Sequence, residues 1–322
     1  MAYEVRTRWD LARNVLRLYY TIPFVLASVT GAAFALTISD EWLLALLIPL
    51  DVFLLALFVN LSNDYFDHKS GADQKRFQTF DPAYEAELKQ IFNDKYYWMG
   101  NTFDKGEITE RQGKVILAII AAAAALIALP IIYYGGWVVL VMGAVAFFLS
   151  YFYTAPPLNL GARGFGELDV FLSFALMSYF TFYVMVPELN WEMVIIAITV
   201  GIAVMLMRAV DQMSGYDAHK AAGEKDFSVR FGQEGSARIT VWLLGVMYVL
   251  CGALAVLFGL HYLVLFLTLP VAVRMAKMFQ ANEDKFRWVR PVPEMLKIAT
   301  GHEILVVVAV AIGFAVETFI TG

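Results

Sequence analysis

The chain alternates between long apolar runs and polar links, and nine of the runs are long enough to cross a bilayer. A helix rises about 1.5 Å per residue, so roughly 20 apolar residues span the hydrocarbon core. The pattern predicts an all-α fold, a polytopic membrane bundle of nine transmembrane helices in a single domain over 1–322. The predicted spans are 18–38, 42–62, 114–134, 136–154, 167–187, 190–210, 236–258, 260–277 and 300–320.

The links between these runs alternate in length and in charge. Long links lie near 63–113, 155–166, 211–235 and 278–299, and the remaining links are short. All 24 lysines and arginines fall in or beside the N-terminal segment and these long links. Positive charge concentrates on the cytoplasmic side of membrane proteins. We therefore expect the N-terminus and the long links in the cytoplasm and the C-terminus outside, which agrees with an odd number of spans.

Composition supports a membrane protein and excludes several kinds of site. The 322 residues are 60% hydrophobic and only 16% charged, which is too little charge for a soluble protein of this length. Cys251 is the one cysteine, so we expect neither disulfides nor a thiolate metal site. The four histidines lack the spacing of a zinc site. The arginine-bearing N-terminal segment has no short apolar region with a cleavage site, so we expect no cleaved signal peptide. The bilayer, and no nucleic acid, is the expected partner.

Acidic residues collect where the second apolar run meets the first long link. Asn63 and Asp67 are four residues apart and share a helix face, and Asp64 lies three residues before Asp67. Carboxylates at the C-terminal end of a helix oppose its dipole and need a cation. Oxygen ligands favour Mg²⁺, which commonly shares its coordination with substrate phosphates. The stretch predicts a Mg²⁺–diphosphate site with Asn63, Asp64, Asp67 and Asp73 as ligands.

The sixth run leads into a second acidic link on the same face. Asp211 ends this run and Asp217 follows it. Two such clusters can hold one or two Mg²⁺ ions with a diphosphate between them. The alternative for either cluster alone is a solvated link with local salt bridges, and the presence of the pair favours the metal site. The cations that would neutralise the remaining phosphate charge are Lys69, Arg208, Lys220 and Lys225.

Two further features have competing interpretations. Tyr153 and Thr154 end the fourth run on the cytoplasmic face, where the residues alone favour an aromatic belt over a π-face beside a carbocation. Asp51 lies near the middle of the second run, where a charge is costly and often functional. It supports a secondary transporter as the alternative class of protein. Transporters tend to place their acids at the midplane, however, and here most acids gather at the cytoplasmic helix ends.

These stretches together resemble the UbiA superfamily of membrane-embedded prenyltransferases. The stretch 63–73, with the pattern Asn-Asp-x-x-Asp-x₅-Asp, resembles the first Asp-rich motif of that family. The stretch 211–223, with the pattern Asp-x₅-Asp-x₄-Ala-Gly, is similar to a variant of the second. The stretches 60–73 and 153–168 look closest to the menaquinone branch, the 1,4-dihydroxy-2-naphthoate polyprenyltransferases.

The resemblance implies nine helices around a central cavity, with cytoplasmic Asp-motif loops at 74–113 and 211–235 over its mouth. It implies Mg²⁺ as cofactor, and an isoprenyl diphosphate with an aromatic or lipid acceptor as partners. The catalytic set would be Asp67, Asp211, Tyr153 and Thr154. The diphosphate and metal would be held by Asn63, Asp67 and Asp73 from the first motif and by Asp211 and Asp217 from the second.

The chain also departs from the family pattern. Counted back from Gly223, the places of the two aspartates of the second motif hold Gly215 and His219. Asn101 stands where the family pattern has an arginine shortly before the third helix. The positive charge of that arginine would then come from Lys105 or Lys95.

The predicted function is Mg²⁺-dependent transfer of a polyprenyl group to a dihydroxynaphthoate-like acceptor through an allylic carbocation, in quinone biosynthesis. The alternatives within the superfamily are transfer to a non-quinone lipid such as a geranylgeranylglyceryl phosphate, and terpene cyclisation. A secondary transporter is the alternative from another class.

Overall fold

The computed structural model describes residues 7–92 and 100–321, and within these ranges the chain forms helices and no β-strand. The α-helices are α1 (Arg8–Val15), α2 (Ile22–Ala35), α3 (Trp42–Ser70), α4 (Ala72–Thr79), α5 (Pro82–Ile91), α6 (Glu110–Gly135), α7 (Trp137–Phe152), α8 (Gly166–Met185), α9 (Trp191–Ser214), α10 (Tyr216–Ala222), α11 (Phe227–Leu257), α12 (Leu269–Phe279) and α13 (Pro291–Thr321). Two 3₁₀ helices, Leu18–Thr21 and Leu260–Thr268, lead into α2 and α12.

Eight helical segments of the described chain have the length and composition to cross a membrane. Two of them, Leu18–Ala35 and Leu260–Phe279, include the 3₁₀ turns. The fourth predicted span corresponds to α7, which is apolar but has only 16 residues. Such a helix covers about 24 Å, less than the hydrocarbon core of about 30 Å. The all-helical membrane bundle is confirmed, and the ninth span stays a prediction.

Several helices continue beyond their predicted ends on the side of the long links. Helix α3 runs to Ser70 rather than 62, and α9 runs to Ser214 rather than 210. The loops predicted at 74–113 and 211–235 are largely helical, since they contain α4, α5, α10 and the first turns of α11. A helix needs an apolar face only where it meets lipid, so polar residues extend it at the membrane surface.

Helix α9 forms the centre of the bundle. Its side chains Ile196, Val200, Leu206 and Val210 are fully buried, and it packs against α8, α11 and α13. On the other side of α8 lies α2, and the two helices approach closely at Gly31. A Cβ at this position would lie 2.1 Å from the carbonyl oxygen of Ser178, so the contact requires glycine. The rigid centre fixes where the carboxyl ends of α3 and α9 lie.

The N-terminal segment and the long links meet at one end of the bundle. Arg17 pairs with Asp64 at the end of α3, and helices α4 and α10 pack on each other. The last long link joins them through the Arg290 Nε–Glu87 Oε1 contact of 2.8 Å. Both acidic segments therefore lie at the same end of the molecule.

Candidate functional site

Helix α3 carries the first acidic segment in its last two turns. The helix ends at Gly71, whose φ of 69° lies in the left-handed region that favours glycine, and whose N–H donates to the carbonyl oxygen of His68 at 3.2 Å. Asn63 and Asp67 share one face of this helix, as their spacing predicts. The sharp turn sends α4 back over the end of the bundle, which brings Asp73 near the same place.

Asp64 does not join the other acids of this segment. One of its oxygens pairs with Arg17, and the other accepts from the backbone N–H of Thr102 at 3.2 Å. The side chain is buried, with 1% of its residue surface exposed. Both oxygens are therefore occupied by the protein, which argues against the predicted role of Asp64 as a metal ligand and favours a structural one.

Asp73 is also buried, and each of its carboxylate oxygens accepts a hydrogen bond. Its Oδ1 accepts from Arg76 Nη1 at 2.7 Å, and its Oδ2 accepts from Asn101 Nδ2 at 2.9 Å. The Asn101 amide also donates to the carbonyl oxygen of Asp64 at 2.6 Å. Asn101, which stands where the family pattern has arginine, thus ties α3 to α4. These contacts argue against Asp73 as a metal ligand.

The second acidic segment is organised around His219. This residue stands where the family pattern has an aspartate. Its Nδ1 contacts Asp226 Oδ2 and lies 3.2 Å from Glu224 Oε2. Burial disfavours the charged ring, but the hydrogen bonds to these two carboxylates outweigh it and raise the pKa of His219 to about 9. Burial likewise disfavours ionised Glu224, yet His219 and the neighbouring Arg76 lower the pKa of Glu224 to about 2. This cluster is an ion-pair network.

Asp226 has a second task as the N-cap of α11. Its Oδ1 accepts from the backbone N–H of Val229 at 2.9 Å and from the hydroxyl of Ser228 at 2.9 Å. Burial opposes the charge, but His219 and these donors keep the pKa of Asp226 below its ordinary value. A cap of this kind satisfies backbone N–H groups that the helix cannot.

Arg76 joins the two acidic segments. From α4 it donates to Asp73, and it also reaches Glu224 Oε1 through Nη2 at 2.5 Å and Nε at 3.1 Å. Burial alone would lower the pKa of Arg76, but its three neighbouring carboxylates raise it above its ordinary value. The segment after α3 and the segment after α9 are therefore held together by a guanidinium group.

Asp67 and Asp211 differ from the other acids of the two segments. No donor in residues 7–92 or 100–321 makes a hydrogen bond or ion pair to either carboxylate. Both lie within electrostatic reach of Arg76, and Asp211 also interacts with Arg208 and His219. Asp217 also has no such partner among the described residues, but it lies in a groove beside Tyr84. Asp67 and Asp211 are the carboxylates with free oxygens that share Arg76 as a neighbour.

The predicted pair Tyr153 and Thr154 lies beside the end of α3 that carries Asn63 and Asp67. The Thr154 hydroxyl donates to Asn63 Oδ1 at 2.6 Å, so the end of α7 fixes the amide at the end of α3. The Tyr153 ring faces the Arg208 guanidinium, with 5.0 Å from its carbon to the ring centroid. Tyr153 also interacts electrostatically with Asp67.

Arg208 is held by groups on two helices. Its Nε lies 3.5 Å from Glu167 Oε1 at the start of α8. With the amide of Gln212 oriented to satisfy both neighbours, its oxygen accepts from Arg208 Nη2 at 2.6 Å. A Cβ at Gly166 would come within 2.8 Å of Arg208 Nη2, so the guanidinium lies directly against the backbone. The predicted cation is thus near the acids and rigidly oriented.

Four other predicted residues lie outside this group. Lys69 pairs with Glu110 at 2.8 Å on the outer surface, because its position on α3 faces α6. Asp217 lines a surface groove with Phe80 and Tyr84, on the face of α10 opposite His219. Lys220 and Lys225 are exposed, and the ammonium group of Lys220 lies 5.6 Å from the centroid of the Tyr216 ring. The structure argues against Lys69 and Asp217 as site residues.

Sequence reasoning missed Arg17, Arg76, Glu224 and Asp226 as members of the site. The spacing of Arg76, three residues after Asp73 on a helix, is a signal for an ion pair that could have pointed to it. Arg17 and Glu224 gave no comparable signal, since their partners lie far away in the chain. Of the two lysines considered in place of Asn101, Lys105 lies within electrostatic reach of Asp64, and Lys95 lies outside the described residues.

The chain matches a known protein family. The model of the UbiA prenyltransferase family matches residues 22–290. The chain belongs to the UbiA prenyltransferase family. Its members are prenyltransferases, so the predicted enzyme class is confirmed.

Two characterised relatives match most of the chain. The 1,4-dihydroxy-2-naphthoate octaprenyltransferase of Bacillus subtilis is 23% identical over 286 residues, which are 85% of this chain and 82% of the relative. The 2-carboxy-1,4-naphthoquinone phytyltransferase of Synechocystis is 24% identical over 242 residues, with 72% and 71% of the two chains covered.

Solved structures show the same fold. An apo UbiA homologue from Aeropyrum pernix superposes with a TM-score of 0.65 at 14% identity, covering 94% of this chain and 99% of the other. A UbiA homologue from Archaeoglobus fulgidus bound to DMAPP and Mg²⁺ gives a TM-score of 0.64 at 19% identity, with 94% and 98% covered. The UbiA-like fold is therefore confirmed.

Proposed function

We propose that this prenyltransferase transfers a polyprenyl group from an isoprenyl diphosphate to a dihydroxynaphthoate-like aromatic acceptor, with Mg²⁺ as cofactor. The observation that carries the proposal is that Asp67 and Asp211 accept no hydrogen bond or ion pair from the described residues, while both interact electrostatically with Arg76. Both characterised relatives are named for naphthalene-ring compounds, which supports the acceptor class. The Archaeoglobus homologue with bound DMAPP and Mg²⁺ supports the donor and the metal.

The donor set suits Mg²⁺. Asn63, Asp67 and Asp211 offer only oxygen ligands, which a hard divalent cation prefers. The Asn63 oxygen keeps a second lone pair beside the one used by Thr154. These three residues would hold the ion. A bound Mg²⁺ would supply Lewis-acid stabilisation of the negative charge on the departing diphosphate.

The residues themselves bind and orient the diphosphate. Arg208 lies within electrostatic reach of Asp211 and would bind the diphosphate. Arg76 and Arg17 are already paired with carboxylates and add positive charge near Asp211 and Asp67. Guanidinium groups match phosphate oxygens with paired hydrogen bonds. Thr154 holds the Asn63 amide in a single orientation, which limits how the diphosphate lies against α3.

In the reaction, the C1–O bond of the allylic diphosphate breaks and its electron pair leaves with the diphosphate. The allylic cation is attacked by an electron-rich ring carbon of the acceptor, which forms the new C–C bond and then loses a proton. The Tyr153 ring offers a π-face beside the diphosphate end of the prenyl group, where positive charge develops. Its position against Arg208 keeps the ring from turning away.

The orientation of the protein in the membrane is also part of the proposal. Arg17, Arg76 and Arg290, from the N-terminal segment and two of the long links, lie at the end of the bundle that carries the site. This distribution supports a cytoplasmic site with the C-terminus outside. Soluble acceptors and diphosphates would then reach the site from the cytoplasm.

The test uses the full chain in nanodiscs with geranylgeranyl diphosphate, 1,4-dihydroxy-2-naphthoate and Mg²⁺, and identifies products by mass spectrometry. A prenylated naphthoate, lost with EDTA and in Asp67→Asn, supports the proposal. Geranylgeranylglyceryl phosphate, and a reaction without any acceptor, are run in parallel. Product formed only from the glyceryl phosphate, or a cyclised hydrocarbon, would overturn the acceptor assignment.

A further inference from the structure

The carboxylates of the two acidic segments fall into two groups according to their partners. Asp73, Glu224 and Asp226 have protein donors on both oxygens: Arg76 and Asn101 for Asp73, Arg76 and His219 for Glu224, and His219 with the α11 cap for Asp226. Asp64 is paired in the same way, with Arg17 and the backbone N–H of Thr102. Asp67, Asp211 and Asp217 have no such donor among the described residues. The paired acids therefore differ from the open ones in chemistry, although all seven lie in the two segments.

Two cationic side chains lie among the paired acids. Arg76 contacts Asp73 and Glu224, and His219 contacts Glu224 and Asp226, so the four contacts form a continuous chain from α4 to the start of α11. A divalent ion between two acidic segments would make these same connections. Here the protein makes them with its own side chains.

We propose that Arg76 and His219 take the place of a second metal ion, so that this enzyme binds its diphosphate with a single Mg²⁺. The proposal rests on the proposed function, because it assumes a diphosphate between the segments. Asn63, Asp67 and Asp211 hold the one ion. Arg76 and His219 act as positioning residues that hold the segment after α9 against α4, which fixes Asp211 relative to Asp67.

A competing arrangement is a metal ion bound by His219, Glu224 and Asp226 themselves. Their ligand atoms lie within 4.8 Å of one another. An ion there would have to displace the His219–Asp226 hydrogen bond and the Arg76–Glu224 ion pair, and it would leave the guanidinium group beside a divalent charge. Breaking an ion pair whose partners are largely buried is strongly destabilising, because it leaves a charge without compensation. The existing contacts therefore disfavour this site.

The experiment counts bound ions. The full-length protein in nanodiscs is titrated with Mn²⁺ in the presence of an unreactive isoprenyl thiolodiphosphate, and bound Mn²⁺ is measured by electron paramagnetic resonance and calorimetry. One Mn²⁺ per protein, with a spectrum lacking metal–metal coupling, is expected. Two ions per protein, or nitrogen hyperfine coupling from His219 to the ion, would overturn the proposal.

Variants give a second readout. In Arg76→Ala, the oxygens of Asp73 and Glu224 lose their cation, so a second Mn²⁺ should bind. The affinity for the thiolodiphosphate should fall about tenfold at low Mn²⁺ and recover at high Mn²⁺. Arg111→Ala, on the exposed first turn of α6, is the matched control and should keep one ion and the wild-type affinity. An Arg76→Ala protein that is folded yet binds one ion with unchanged affinity contradicts the proposal.

His219→Gln tests the same point without removing the guanidinium group, and it too should admit a second ion. The wild-type count decides the question even where a variant fails to fold. A failure of the proposed function gives a different result. Without diphosphate chemistry the thiolodiphosphate would not bind at any Mn²⁺ concentration, and a different acceptor would change the product but not the ion count.

Discussion

Arg17 and Asp64 form a buried ion pair that fastens the N-terminal segment to the end of α3. Asp64 sits three residues from Asp67 on the same helix, yet its carboxylate faces a different neighbour. Burial leaves 1% of the Asp64 surface exposed. The pair therefore belongs to the framework of the site, whereas Asp67 remains open to a ligand.

Removing either partner of this pair should destabilise the protein. Arg17→Ala leaves the buried Asp64 carboxylate without its cation, at a cost of about 3–5 kcal/mol, and Asp64→Asn breaks the same pair. Thermal unfolding in nanodiscs measures the effect. Glu110→Gln, which breaks the exposed pair with Lys69, should leave the unfolding temperature almost unchanged, because solvent screens that pair. Equal shifts for the two pairs would contradict a structural role for Asp64.

The Thr154 hydroxyl should matter through Asn63. Thr154→Val removes the donor that orients the Asn63 amide. We expect kcat/KM for the diphosphate to fall about tenfold, as it does when a group that hydrogen-bonds to a metal ligand is removed. Thr154→Ser keeps the donor and should retain most of the activity. Steady-state kinetics with varied diphosphate separates the two variants. Similar losses in both would point to packing of the threonine methyl group instead.

The His219 network should make stability depend on pH. The pKa of His219 is raised in the folded protein to about 9 from 6.5, so its stabilising contribution is complete below the unfolded pKa and is lost as pH rises through about 9. The groups that face the ring are Asp226 and Glu224, with Asp211 and Arg76 nearby.

Unfolding temperatures of the wild type and His219→Gln between about pH 6 and pH 10 measure this dependence. The wild type should be the more stable protein at the acidic end, and the difference should shrink towards the alkaline end. A difference that stays constant over this range would show that the imidazolium does not hold the network together.

Asp217 and Lys69 should be nearly dispensable for catalysis. Asp217 faces the groove beside Tyr84, and Lys69 faces Glu110 at the surface. Asp217→Asn and Lys69→Ala should keep activity within about threefold of the wild type, whereas Asp211→Asn should lose about a hundredfold or more. A loss in Asp217→Asn as large as in Asp211→Asn would restore the sequence-based assignment.

The membrane bundle could be predicted from the sequence because the apolar runs reveal the spans and the basic residues mark the long links. Helix ends could not be predicted from the same signal. In α3 the hydrophobic run ends near 62, but the helix continues to Gly71, where the backbone conformation changes. In α11 the φ of Gly232, 68°, interrupts the helix just before the predicted span.

The location of the site could be predicted, but its partners could not. Spacing placed Asn63 and Asp67 on one face, and it could not tell that Asp64 meets Arg17. The relation between Arg76 and Glu224 depends on the packing of α4 on α10, which joins residues far apart in the chain. Charge made Asp64, Asp67, Asp73, Asp211 and Asp217 candidates alike, and hydrogen bonding separates them.

The most direct measurement of the central claim is an X-ray structure with Mn²⁺ and an unreactive isoprenyl thiolodiphosphate, using anomalous scattering to locate the metal. We predict one Mn²⁺ in contact with Asp67, Asp211 and the diphosphate, with Arg76 still bound to Glu224. An ion among His219, Glu224 and Asp226, or a diphosphate away from the ends of α3 and α9, would contradict the account.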